Sequence, residues 1–140
     1  MTLLLPAGTL LMLASYNGNA EATRMLLEHG ADVDRRNDRG QTPLGGAAFK
    51  GYEEIVALLL HHGADIDADN GGGMTPLMFA AMFGRVKVVA QLQAHGASLR
   101  SRNRFGISAS LMVRLSLWIN RRFHRQRPQP GHPVPEPRLL

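Results

Sequence analysis

Apolar residues gather on one helical face in successive segments of this chain. In the clearest, Glu53-Glu54 is followed by Ile55, Val56, Leu58, Leu59 and Leu60, a broad stripe at the period of an amphipathic helix, with its acids at the favourable end of the helix dipole. A shorter apolar segment precedes it, Pro43-Leu44 and then Ala47-Ala48, ended by Gly51. Thr42 can accept hydrogen bonds from the free N–H groups at that helix start, and Pro43 suits the first helical position, where its missing N–H costs nothing. The pattern predicts a short helix from about Pro43, a second from about Glu53, and Gly63 as a left-handed cap. Ala64-Asp65-Ile66-Asp67 then reads as extended chain leading to a turn at Gly73, as its copies lead to Gly40 and Gly106.

This unit repeats. His29-Gly30-Ala31, His62-Gly63-Ala64 and His95-Gly96-Ala97 are spaced 33 residues apart, and the step is kept by Thr9, Thr42, Thr75 and Ser108, by Gly18, Gly51 and Gly84, by Leu26, Leu59 and Leu92, and by Asn37, Asn70 and Asn103. Self-similarity at such a period predicts an all-α solenoid of about three helix-turn-helix repeats, with a degenerate C-terminal cap. The units are 1–36 (partial), 37–69 and 70–102. Residues 103–127 form a degenerate repeat or basic capping helix, and 128–140 a Pro-rich tail expected to be extended.

The residues Gly40-x-Thr42-Pro43-Leu44, Ala47-Ala48, Gly51 and Leu58-Leu59-Leu60-x-x-Gly63-Ala64-Asp65 resemble the ankyrin repeat family, and the resemblance covers 9 to about 108. Three departures stand out. The family's His after Thr-Pro-Leu is Gly45 in one copy and Met78 in the next, which removes that side chain's hydrogen bonds from both. Leu10 stands where the helix-opening proline belongs. A fourth copy begins with Asn103 and Ser108 and then loses register, with Arg114 and Leu117 in the columns of Ala81 and Gly84.

The resemblance implies a non-catalytic protein-binding module whose partner meets a concave surface of turn tips and first helices. The candidate contacts are Tyr16, Arg39, Gln41, Phe49, Lys50, Met74, Met82 and Phe83, with Gly72, Phe105 and Ile107 at neighbouring turns. Tyr16, Phe49 and Met82 share one column and should line up as an apolar row. Aromatic and Met side chains make effective interface anchors. Exposure of Phe49 and Phe83 decides between a contact surface and internal packing.

Charge divides the chain. Residues 1–99 carry 7 basic and 10 acidic side chains, whereas 100–140 carry 9 basic and 1 acidic. From Leu111 to Phe123 a helix would place Met112, Leu115, Ile119 and Phe123 on one face beside Trp118, among Arg114, Arg121, Arg122, Arg125 and Arg127. Its first role is to cap the array. The alternative is an adaptor tethered by this tail to an anionic surface, membrane or nucleic acid. A truncated or altered end of a longer array is equally compatible with the change near Arg114.

Candidate chemistry is sparse. The absence of cysteine excludes disulfides and thiolate metal sites and is compatible with a reducing cytosol, so a cytoplasmic location is the expectation. His61-His62 with Asp65 and Asp67 lacks the convergence that a metal site needs. Gly71-Gly72-Gly73 has no Lys-Ser or Lys-Thr after it and reads as a lengthened turn tip rather than a phosphate loop. Ser15, Ser108 and Ser110 lie in no catalytic motif, and neither enzyme activity nor a cofactor is expected. Leu3 to Ala14 is apolar enough to resemble a secretion signal core, but no Lys or Arg precedes it, and the same residues fit the repeat. No run of apolar residues is long enough to suggest a transmembrane helix.

Overall fold

A computed structural model describes residues 7–124. The expected Pro-rich tail, Arg125, Arg127 and the start of the apolar N-terminal segment lie outside the described residues. Among the described residues seven helices follow one another: α1 (Ala7–Tyr16), α2 (Ala20–Glu28), α3 (Pro43–Lys50), α4 (Glu53–His61), α5 (Pro76–Met82), α6 (Val86–Ala94) and α7 (Ala109–His124). Among the described residues no strand forms. A single antiparallel bridge joins Arg102 and Ser108.

Local sequence sets each boundary. The Thr42 hydroxyl accepts from the Gly45 N–H at 3.2 Å and Pro43 opens α3; Thr75 and Pro76 do the same for α5. Gly51 then leaves α3 at φ 81, a left-handed conformation that L side chains rarely adopt. The outer helices α2, α4 and α6 end at His29, His62 and His95. Without a proline in its column, Leu10 lies inside α1.

The helices stack in two rows. α1, α3, α5 and α7 each pack on the next as an inner row, and α2, α4 and α6 form the outer row. Columns of the repeat become layers of the core: Leu11, Leu44 and Leu77 are fully buried in the inner row, and Thr23, Val56 and Val89 are buried in the outer. Acids join neighbouring copies along the connecting segments. Asp34 accepts from the Asp65 N–H at 2.9 Å, and one repeat later Asp67 accepts from the Ser98 N–H at 2.8 Å.

The turn at Gly71-Gly72-Gly73 corrects an expectation, because it is not lengthened. Asn70 N–H donates to the Met74 carbonyl as Asn37 N–H donates to that of Gln41, so the two turns contain the same number of residues. Their wiring differs. Asn37 and Asn103 use their side-chain oxygens to accept from the N–H groups two and four residues on. In the third copy Asp69 takes that role, accepting from Gly71 and Gly73. All three glycines have positive φ, which accommodates the shifted turn.

Asn70, released from the turn, points inward. Its Oδ1 accepts from the Thr42 N–H at 2.7 Å and the Thr42 hydroxyl at 3.1 Å, and its Nδ2 donates to the Ala68 carbonyl. Gly45 makes this possible, since a Cβ there would lie 2.1 Å from Asn70 Oδ1. Thr42 of this copy, which lacks the family's His, is thus hydrogen-bonded by a side chain of the next repeat.

α7 runs unbroken for 16 residues, because Leu117 replaces the turning glycine and permits the helix to continue. Its covered side carries Ala109, Val113 and Ser116, with Met112 and Leu117 half-buried. Leu115, Ile119 and Phe123, which share a face with Met112, are exposed. Val113 inherits the column of Ala47 and Ala80, which sets the helix's rotation.

Asn70→Ala should destabilise the fold by about 1–3 kcal/mol, because the Thr42 N–H is left buried without a partner. Gly45→Ala should be comparably harmful through its clash. The double variant should lose clearly less than the sum, since each change removes the other's cause. Urea denaturation of the four proteins measures the cycle.

Candidate functional site

The inner helices bring one residue from each copy to the concave side. Leu13, Gly46, Phe79 and Met112 are successive members of one column, and all four line a single groove of about 1010 Å³. Tyr16, Phe49, Met82 and Phe83 form its helical wall, while Arg39, Gln41 and Met74 line it from the turns. Seven of the eight candidate contacts therefore share one surface. Lys50 does not line it, but lies in a smaller depression with Gly51, Glu53 and Arg85. Its ammonium is nevertheless 4.7 Å from the centre of the Tyr16 ring, a cation–π contact at the edge of the same wall.

The wall is an aromatic ladder. Tyr16 stacks on Phe49 with centroids 6.4 Å apart and planes 8° from parallel. Gly46 leaves room for this, as a Cβ there would come within 3.3 Å of Tyr16. Phe49 then meets Phe83 edge-on at 4.5 Å and Phe79 at 6.5 Å. The expected row of Tyr16, Phe49 and Met82 is modified at its third member. Phe83 caps the C-terminus of α5, and its ring meets Phe49 beside Met82 on the same wall.

Exposure divides the two rings set to decide between contact and packing: Phe83 is 44% exposed, whereas Phe49 is half-buried between its neighbours, with Tyr16 at 42% and Met82 at 56%. The opposite side is formed by turns. Arg104 donates its N–H to the Gly72 carbonyl at 2.7 Å, and its guanidinium lies where a side chain on Gly72 would stand. Arg36 bridges the turns of two copies through the carbonyls of Gly40 and Asp69. Among the described residues lining the groove, Arg39 and Arg104 outnumber the single acid, Asp38.

Met12, Leu13, Phe79, Met112 and Arg104 also line the groove and were not among the candidates. Four of them are legible from the same 33-residue step that identified Tyr16 and Phe49: Leu13, Phe79 and Met112 share a column, and Met12 lies in that of Gly45. Arg104 answers to no sequence signal, because its place depends on the bare backbone at Gly72.

The histidines lie elsewhere. His29 and His95 each hold Nδ1 within hydrogen-bond distance of the carbonyl four residues back, at 2.7 and 2.8 Å, so they finish the outer helices. Among the described residues no three His, Cys, Asp or Glu side chains converge as metal ligands. Ser15 is buried and bonds the Met12 carbonyl, and Ser108 accepts from the Leu111 N–H at the start of α7. No described helix is long and apolar enough to cross a membrane.

Comparison with known families identifies the repeat pattern. A family model for ankyrin repeats in three copies matches residues 3–70, and one for the single ankyrin repeat matches residues 72–104. No curated protein matches the chain.

The Phe49–Phe83 contact should show a coupling of about 0.5–1.5 kcal/mol in a double-mutant cycle with Phe49→Ala and Phe83→Ala, the range for edge-to-face ring pairs. Chemical denaturation of the two single variants and the double variant gives the value.

Proposed function

The chain belongs to the ankyrin repeat family, and on that footing we propose that it is a non-catalytic module that holds a protein partner in its concave groove. Ankyrin repeats are generally protein–protein interaction modules. The observation that carries the reading for this chain is the ladder Tyr16–Phe49–Phe83, contributed by three successive copies and left partly open to solvent. Large apolar rings held open by a rigid scaffold are effective binding anchors, because little conformational entropy remains to be lost.

Charge supports a partner of particular chemistry. With Arg39 and Arg104 beside the apolar wall and Asp38 as the one acid, the groove suits a segment that presents apolar side chains flanked by Asp or Glu. Tyr16, Phe49, Met74, Met82 and Phe83 would take the apolar part, Arg39 the acidic flank, and Gln41 the partner's backbone or amides. Lys50, stacked on Tyr16, would contribute only at one end.

The test is affinity for a captured partner, measured with purified proteins. Arg39→Glu combined with Phe83→Ala should weaken binding by about thirtyfold or more, the loss of a hot-spot residue. Glu54→Ala, on the outer helices, should leave it unchanged. Equal affinities for all three proteins would sink the groove reading.

A further inference from the structure

The last helix presents a second apolar surface, remote in character from the groove. Leu111, Leu115, Trp118, Ile119 and Phe123 are 46, 51, 58, 47 and 60% exposed and recur at helical spacing along α7. Arg114 and Arg121, two turns apart, flank this face, and the Arg122 guanidinium lies 5.4 Å from the Trp118 ring. We infer that this face docks onto the surface of an anionic phospholipid bilayer.

Two observations select that occupant. The first concerns what does not fit. Ser15, Ala48 and Ala81 are buried, one in each of the three copies, and the fourth member of their column is Arg114. Completing the fourth repeat in the same manner would bury that guanidinium. No Asp or Glu occurs between Asp69 and Glu136 to neutralise it there. Burying an unpaired charge costs several kcal/mol.

The second concerns what does fit. A helix with Leu, Ile, Trp and Phe on one sector, Arg beside them and no acid lies stably in the plane of an anionic interface, with its rings among the acyl chains and its guanidinium groups at the phosphates. Sixteen residues span about 24 Å, enough to lie along a bilayer surface. Arg125 and Arg127 continue the positive run in sequence. This inference rests on α7 alone and stands or falls independently of the groove.

Trp118 is the protein's only tryptophan, so its emission reports directly on this face. Mixed with phosphatidylcholine–phosphatidylserine vesicles at low salt, the full chain should co-sediment and its emission should shift to the blue. Vesicles of phosphatidylcholine alone should do neither. Arg121→Glu with Arg122→Glu should lower partitioning by about thirtyfold or more, each surface arginine contributing roughly a factor of five. Leu115→Gln with Ile119→Gln, both at exposed positions, should abolish the shift while leaving the circular dichroism and thermal midpoint unaltered. Phe83→Ala should bind vesicles as the unchanged chain does. Absence of serine-lipid-dependent binding would overturn the inference, as would binding that survives both α7 variants. A dimer seen by sedimentation equilibrium, broken by Leu115→Gln with Ile119→Gln and unaccompanied by vesicle binding, would assign the face to a second copy instead.

Discussion

The inner helices α3 and α5, of eight and seven residues, are too short to persist alone, and each buries its apolar side only against the next member of the row. Leu11, Leu44 and Leu77 are fully buried because three copies stack, not because any one copy encloses them. Nearest-neighbour contact is therefore the constraint behind the whole structure. It explains why capping residues are so regular at every start and stop, since a helix of two turns has no spare length with which to absorb a ragged end. It also explains why small residues, Ala47, Ala48, Ala80 and Ala81, occupy the buried side of the inner row.

The same stacking builds the groove. Whatever a column does not need for burial it presents at the concave side, once per copy and in register. Gly46 in the second copy brings the α1 and α3 rings together, whereas Phe79 in its column fills the same place in the third. The wall is thus uneven along its length, drawn in at Gly46, where the Tyr16 ring lies close to the backbone, and bulky at Phe79 and Phe83. An uneven surface of fixed spacing favours one sequence of side chains over its permutations.

Much of this was legible in the sequence because the period writes structure into columns. Thr42 and Pro43 predicted a helix start, and Gly51 and Gly63 predicted left-handed stops. The groove was legible only in part. The apolar row of Tyr16, Phe49 and Met82 points to the groove, but the column of Leu13 and Phe79 three residues earlier lies one turn away on the same side of the helix and lines it too. Asn70 could not be placed from its column. Asn37 and Asn103 hold their own turns, and only the transfer of that task to Asp69 frees Asn70 to reach Thr42 in the preceding copy. In α7 the column inherited by Val113, with Ala109 and Ser116 beside it, is the buried side.

The aromatic ladder crosses two boundaries between copies, from Tyr16 to Phe49 and from Phe49 to Phe83. A ligand resting on all three rings would make simultaneous contact with units that otherwise communicate only through their neighbours. Its binding free energy would then be linked to the integrity of the first copy, whose Leu10 and Met25 are exposed. Occupancy would suppress fraying at that end and lengthen the segment that unfolds as one. In a solenoid this short, recognition and cooperativity would be two readings of the same three rings.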